Sequence, residues 1–232
     1  MEFVEKDINE QTLTLKVVNL SDGDARAVYK NTTFDFRRFG NLRCYVHAEK
    51  VDELDDLNKN DLKFFIRLGS DFTENYYEYE MPFDLTAWGA TDTADIWPQS
   101  NYLDIDLQKL IDAKQARNVK NRYEGSIALT DIYTISEGDN NIRVVGSPSL
   151  ADIKIIMLGI RNPKKKILAD NDDMQPKSVE LWVNELRLGN FEEKGGWAAL
   201  GAMRLDLADL GDVSVATSIT TAGFGALESS TY

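Results

Sequence analysis

His47 is the only histidine in the 232-residue chain, and histidine is the side chain whose ordinary titration best suits acid–base chemistry near neutral pH. It lies in Asn41-Leu-Arg-Cys-Tyr-Val-His-Ala48, which alternates at period two. That pattern places His47 on the strand face opposite Leu42, Cys44 and Val46. A common zinc site draws on several His or Cys ligands, and one of each is too few. Gly69-Ser70 and Gly125-Ser126 do not continue into the Gly-x-Ser-x-Gly turn that exposes a nucleophilic serine. Gly223-Phe-Gly225 runs into Ala-Leu-Glu, which is no phosphate cradle. The residues therefore predict no catalytic group, no enzymatic activity and no bound organic cofactor.

Two other side-chain sets could hold a ligand. Asp22-Gly-Asp24 and Asp170-Asn-Asp172-Asp173 offer hard oxygens in loops, which calcium favours. Neither has the EF-hand spacing, because the sixth and twelfth positions from Asp170 are Gln175 and Leu181. Asp170, Asp172 and Asp173 stand as calcium candidates, with a solvated turn as the simpler reading. Tyr76, Tyr77, Trp88 and Trp97, with Tyr79 and Tyr102 nearby, could form an aromatic surface for a sugar ring. Aromatics at strand spacing more often pack across strands.

The elements that must position these groups are mostly strands. Period-two alternation marks strands at 11–18, 42–49, 62–69, 75–81, 126–135, 141–145, 153–160 and 179–188. Residues 25–30 suit a short helical turn, 83–100 look irregular, and 107–118 form the one helix candidate. Strands at short intervals predict a mainly β fold, an antiparallel jelly-roll-like β-sandwich over residues 1–190. Leu13, Leu15, Leu42, Cys44, Val46, Phe64, Ile66, Ile153 and Ile155 should line its core. With Cys44 as the sole cysteine, no disulfide can form within the chain. A formal net charge of −13 argues against nucleic acid as a partner. No run of eighteen apolar residues marks a membrane-spanning helix, and the first eight residues lack the basic start and apolar core of a signal peptide.

Residues 191–232 change character. From Gly195 onward the chain carries one basic residue, Arg204, and four acidic ones. Ala199, Gly201, Met203, Leu205 and Leu207 alternate with Leu200, Ala202, Arg204 and Asp206. After a turn at 209–212, Val213, Val215, Thr217 and Ile219 alternate with Ser214, Ala216, Ser218 and Thr220. Two alternating strands of this length predict a β-hairpin over 197–221 that begins a membrane β-barrel segment. Such a hairpin cannot stand alone in lipid, since its edges would leave backbone groups unpaired.

Five stretches carry a family resemblance. Val179-Glu-Leu-Trp-Val-Asn-Glu-Leu-Arg-Leu188 with Asn190-Phe-Glu-Glu-Lys-Gly-Gly-Trp-Ala-Ala199, Phe34-Asp-Phe-Arg-Arg-Phe-Gly-Asn-Leu-Arg43, and Phe65-Ile-Arg-Leu-Gly-Ser-Asp71 with Glu74-Asn-Tyr-Tyr-Glu-Tyr-Glu80 resemble the SprA (Sov) family of Bacteroidetes. The resemblance spans residues 30 to 230. It implies an internal piece of the outer-membrane translocon of type IX secretion, which also supports gliding motility. By that resemblance the chain is a structural, non-catalytic part of a protein-secretion channel in the cell outer membrane. Its partners would be other secretion-system proteins, secreted clients and, through 197–221, the membrane. The alternative is a carbohydrate-binding or adhesin-type sandwich at the cell surface.

Overall fold

The computed structural model describes residues 12–164, 173–191, 198–207 and 211–220, and the chain divides into two units, Met1–Phe191 and Glu192–Tyr232. The described part of the first unit contains β1 (Leu13–Leu20), β2 (Ala25–Phe34), β3 (Phe39–Glu49), β4 (Lys63–Gly69) and β5 (Tyr76–Pro82). A short helix α1 (Thr93–Ile96) and a 3-10 turn precede β6 (Tyr102–Asp106) and helix α2 (Leu107–Val119). Then follow β7 (Tyr133–Glu137), β8 (Asn140–Val145), β9 (Ile153–Arg161) and β10 (Lys177–Phe191). All pairings are antiparallel and make two sheets, ordered β1-β10-β3-β6 and β2-β9-β4-β5-β8-β7.

Alternation decides what each sheet buries. In β4, Phe64, Ile66 and Leu68 share one face; register sets them against Met81, Tyr79 and Tyr77 of β5. In the four-stranded sheet, Leu15 meets Leu181, which meets Ala48, while Val183 meets Val46 and Cys44 meets Leu103. These faces and Leu107, Leu110 and Ala113 of α2 form one buried cluster. Each large aliphatic side chain so buried contributes about 1.5–3 kcal/mol. A bulge between Asn184 and Arg187, with Glu185 at φ 52°, adds one residue to β10. The extra residue keeps Leu188 opposite Leu42 on the core face.

Helix α2 starts at Asp106, whose side chain accepts a hydrogen bond from the Gln108 amide at 2.9 Å. It continues into a π turn over Lys120–Glu124 that stops at Gly125, left-handed at φ 61°. With α1, the described residues hold two α-helices rather than the one expected.

Four expectations are corrected. Ala25–Phe34 is a strand and not a helical turn, because pairing with β9 along its length outweighs local propensity. The strand expected over 126–135 shrinks to β7; the Leu129 carbonyl accepts from the buried Arg117, and the Ile127 carbonyl from Asn121. Leu13 is 40% exposed, at the end of an edge strand. Ile155 is half-buried because the core phase of β9 is Ile156, Leu158 and Ile160, with Ile155 opposite Gly69. The run is apolar in both phases, so alternation alone could not choose its inner face. The other seven expected core residues are buried.

The second unit contains β11 (Ala198–Leu207) paired antiparallel with β12 (Gly211–Thr220). The turn expected at 209–212 falls partly on residues outside the described ones, and β12 begins within it, at Gly211.

Candidate functional site

The register of the hairpin sorts its side chains by polarity. Ala199 faces Ile219, Gly201 faces Thr217, and Met203 faces Val215. One residue out of phase, Leu200 faces Ser218, Ala202 faces Ala216, and Arg204 faces Ser214. The first face presents Met203, Val213, Val215 and Ile219, all about half exposed. Thr217 also falls in that phase, while the second face carries Arg204, Ser214 and Ser218 together with Ala202, Ala216 and Leu200, the last 83% exposed. Ten residues per strand extend roughly 33 Å, which a tilt near 45° shortens to the ~25 Å apolar band of a membrane barrel. Among the described residues each strand has only the other as neighbour.

His47 is buried on the outer face of the four-stranded sheet, where the loop bearing α1 covers it. Its Nδ1 lies 2.9 Å from the Ile96 carbonyl and 3.0 Å from Thr86 Oγ1. A carbonyl can only accept, so Nδ1 donates to it. Nε2 is buried without a hydrogen-bond partner among the described residues, 3.8 Å from Glu49 Oε2. The ring stacks 4.3 Å from Trp182 and stands edge-on to Trp97 at 6.0 Å. The hydroxyl beside it, Thr86, donates to the Asp95 carbonyl at 3.2 Å. These contacts clamp a loop to a sheet.

The four aromatics proposed as a sugar surface are not brought together. Tyr76 and Tyr77 are neighbours in β5 and so point to opposite faces. Tyr76 lies under the Arg67 guanidinium at 3.8 Å, while the Tyr77 hydroxyl donates to the Pro148 carbonyl inside the core. Trp88 is half exposed in the loop after β5, and Trp97 belongs to the His47 cluster on the other sheet.

Of the calcium candidates, Asp170 and Asp172 lie outside the described residues. Asp173 accepts from the Lys177 ammonium at 2.5 Å, and the same ammonium reaches Asp61 at 2.9 Å and the Asp56 carbonyl at 3.1 Å. Lys177 is buried, and although burial pulls its pKa down, Asp173 and Asp61 raise it above the ordinary value. A side-chain cation thus occupies the centre of that oxygen set. Asp24 binds the Ala25 amide and Arg26. Among the described residues no three His, Cys, Asp or Glu side chains are grouped as a metal site.

Sequence reasoning missed a buried charge cluster. On the outer face of the six-stranded sheet, Glu78 binds Arg67 and Arg143, each at 2.6 Å, and Arg161 at 3.0 Å. Glu80 binds Arg143 at 2.7 Å and also Arg161. Both carboxylates are buried. Burial would push Glu78 up, yet Arg161 and Arg67 hold it down at about 2. Arg143 is raised by Glu80 and Glu78 against the downward pull of its own burial. Phe65 packs across Gly159, where an added Cβ would stand 2.4 Å from its ring, and Arg161 stacks on that ring at 4.7 Å. A signal was present: an arginine interrupts the apolar runs of β4 and β8 and another ends that of β9, and Glu78 and Glu80 share one phase of β5.

The SprA_N family model, described as a motility related/secretion protein, matches residues 2–232. No curated protein matches the chain.

Proposed function

Because the chain belongs to the SprA_N family of motility-related secretion proteins, we propose that it is a structural, non-catalytic part of a type IX secretion channel in the outer membrane. In this reading the two-sheet unit is a jelly-roll-like sandwich carried beside the channel, and β11–β12 contribute the first strands of a barrel wall. The observation that carries the reading is the hairpin, whose pairing gathers Met203, Val213, Val215 and Ile219 on one exposed face. In lipid that face gains what water denies it, and neighbouring strands would satisfy its edges. Partners would be the remaining strands of the channel, other secretion proteins and clients. The dispersal of Tyr76, Tyr77, Trp88 and Trp97 weighs against the sugar-binding alternative. The test is Met203→Lys in the full-length parent, compared with Ala202→Lys on the other face. Met203→Lys should cost about 2–4 kcal/mol of barrel stability and Ala202→Lys much less. Equal tolerance in unfolding titrations of the reconstituted protein would remove the membrane from the account.

A further inference from the structure

The two sheets are open along one side. There β1 and β2, consecutive in the chain, form the edges of different sheets, and each pairs with only one strand among the described residues. Two grooves of 690 and 450 Å³ run between them and share Val28. Leu13, Leu158, Val183 and Leu186 make the larger groove apolar. No residue of β2 is buried, and Val28, Tyr29 and Phe34 are 40%, 55% and 45% exposed. Among the described residues no strand covers this edge, and an edge of this length is a template for another strand.

The charges on the walls indicate which strand. Lys16, Arg26 and Lys30 line the grooves against a single acid, Glu185, in a chain of net charge −13. Arg26 is held by Asp24 at 2.6 Å, but Lys16 is only within 3.9 Å of Glu180. A second copy docking by its own β2 would bring Arg26 and Lys30 against the same basic edge. An acidic segment would instead neutralise it.

We propose that this groove receives an extended polypeptide segment of alternating apolar and acidic side chains, which adds as a strand to the free edge of β2. Backbone hydrogen bonds to the edge would give affinity, the apolar side chains would enter between the sheets, and the acids would meet Lys16 and Lys30. The surface belongs wholly to the first unit and is independent of any membrane role for the hairpin.

The probe is a fluorescent octapeptide of alternating Val and Glu, titrated against the purified chain by anisotropy. Saturable binding is expected, weakening with salt. Methylating every backbone nitrogen of the peptide should weaken it by at least about tenfold, because strand addition requires those donors. Lys30→Glu, an exposed change, should weaken the acidic peptide by about tenfold and favour a Val-Lys counterpart. Absence of saturable binding, equal binding of the methylated peptide, or indifference to Lys30→Glu would each overturn the proposal. So would concentration-dependent self-association that the peptide fails to displace, which would make a second copy the occupant.

Discussion

Strands β4–β5 and β11–β12 are written in the same alternating code and end in opposite circumstances. In the first pair, Phe64, Ile66 and Leu68 meet Met81, Tyr79 and Tyr77, and a second sheet closes over them. In the second, Met203 meets Val215 across an equally regular ladder, and both stay about half exposed. Alternation specifies only that one face is to be kept from water; what keeps it so must come from elsewhere. The reverse faces differ as well. Behind β4–β5 stand Arg67, Glu78 and Glu80, charged yet nearly dry, whereas behind β11–β12 stand Ser214, Ala216 and Ser218, small and exposed.

The sharpest way to break this contrast is to attack the dry charges. Glu78→Ala leaves three guanidinium groups facing one carboxylate, and removal of one partner from a buried ionic cluster costs about 3–5 kcal/mol. Denaturant unfolding followed by tryptophan fluorescence should show that loss. A change below about 1 kcal/mol would make the cluster an ordinary solvated surface and erase the distinction between the two reverse faces.

A second, smaller effect is expected from acid. The folded-state pKa of Glu78 is depressed to about 2, and that of Glu80 is lowered as well, its arginine partners Arg143 and Arg161 outweighing a burial effect of the opposite sign. A depressed carboxylate contributes stability that is complete above its unfolded value, about 4.3, and is lost as the pH falls through the folded one. Denaturation midpoints should therefore hold steady above about pH 5 and decline towards pH 2, with Glu78→Gln flattening the decline. A midpoint that rises on acidification would reverse the assigned sign.

The smallest effect sharpens the comparison from the other side. Met203→Ala should change the stability of the chain in water by no more than about 0.5 kcal/mol, since an exposed side chain forfeits little burial. A loss of 2 kcal/mol or more would mean that the face of Met203 is already covered in water, as the face of Phe64 is.

How much of this could be read from residues alone depends on the range of the interactions. The strands β3, β4, β5 and β10 were legible because their apolar and β-favouring patterns are local. So were the pairing of β11 with β12 and the start of α2. The strand β2 was not, since Ala25-Arg-Ala-Val-Tyr-Lys30 has no alternation of its own and is a strand only because β9 lies beside it. The ionic cluster was hidden for the same reason: Glu78 draws its arginines from 11, 65 and 83 positions away. The aromatic set misled because closeness in sequence, Tyr76 beside Tyr77, means opposite faces in a strand.

The ammonium of Lys177, seated among Asp61, Asp173 and the Asp56 carbonyl, has a consequence for life in a changeable medium. An ion held at such a crossing would come and go with its supply; a cation tethered to the backbone has no dissociation constant and cannot be diluted away. Chelators and fluctuating mineral content, which loosen many exposed β domains, should leave this junction as firm as they find it. Here the fold carries its own counterion.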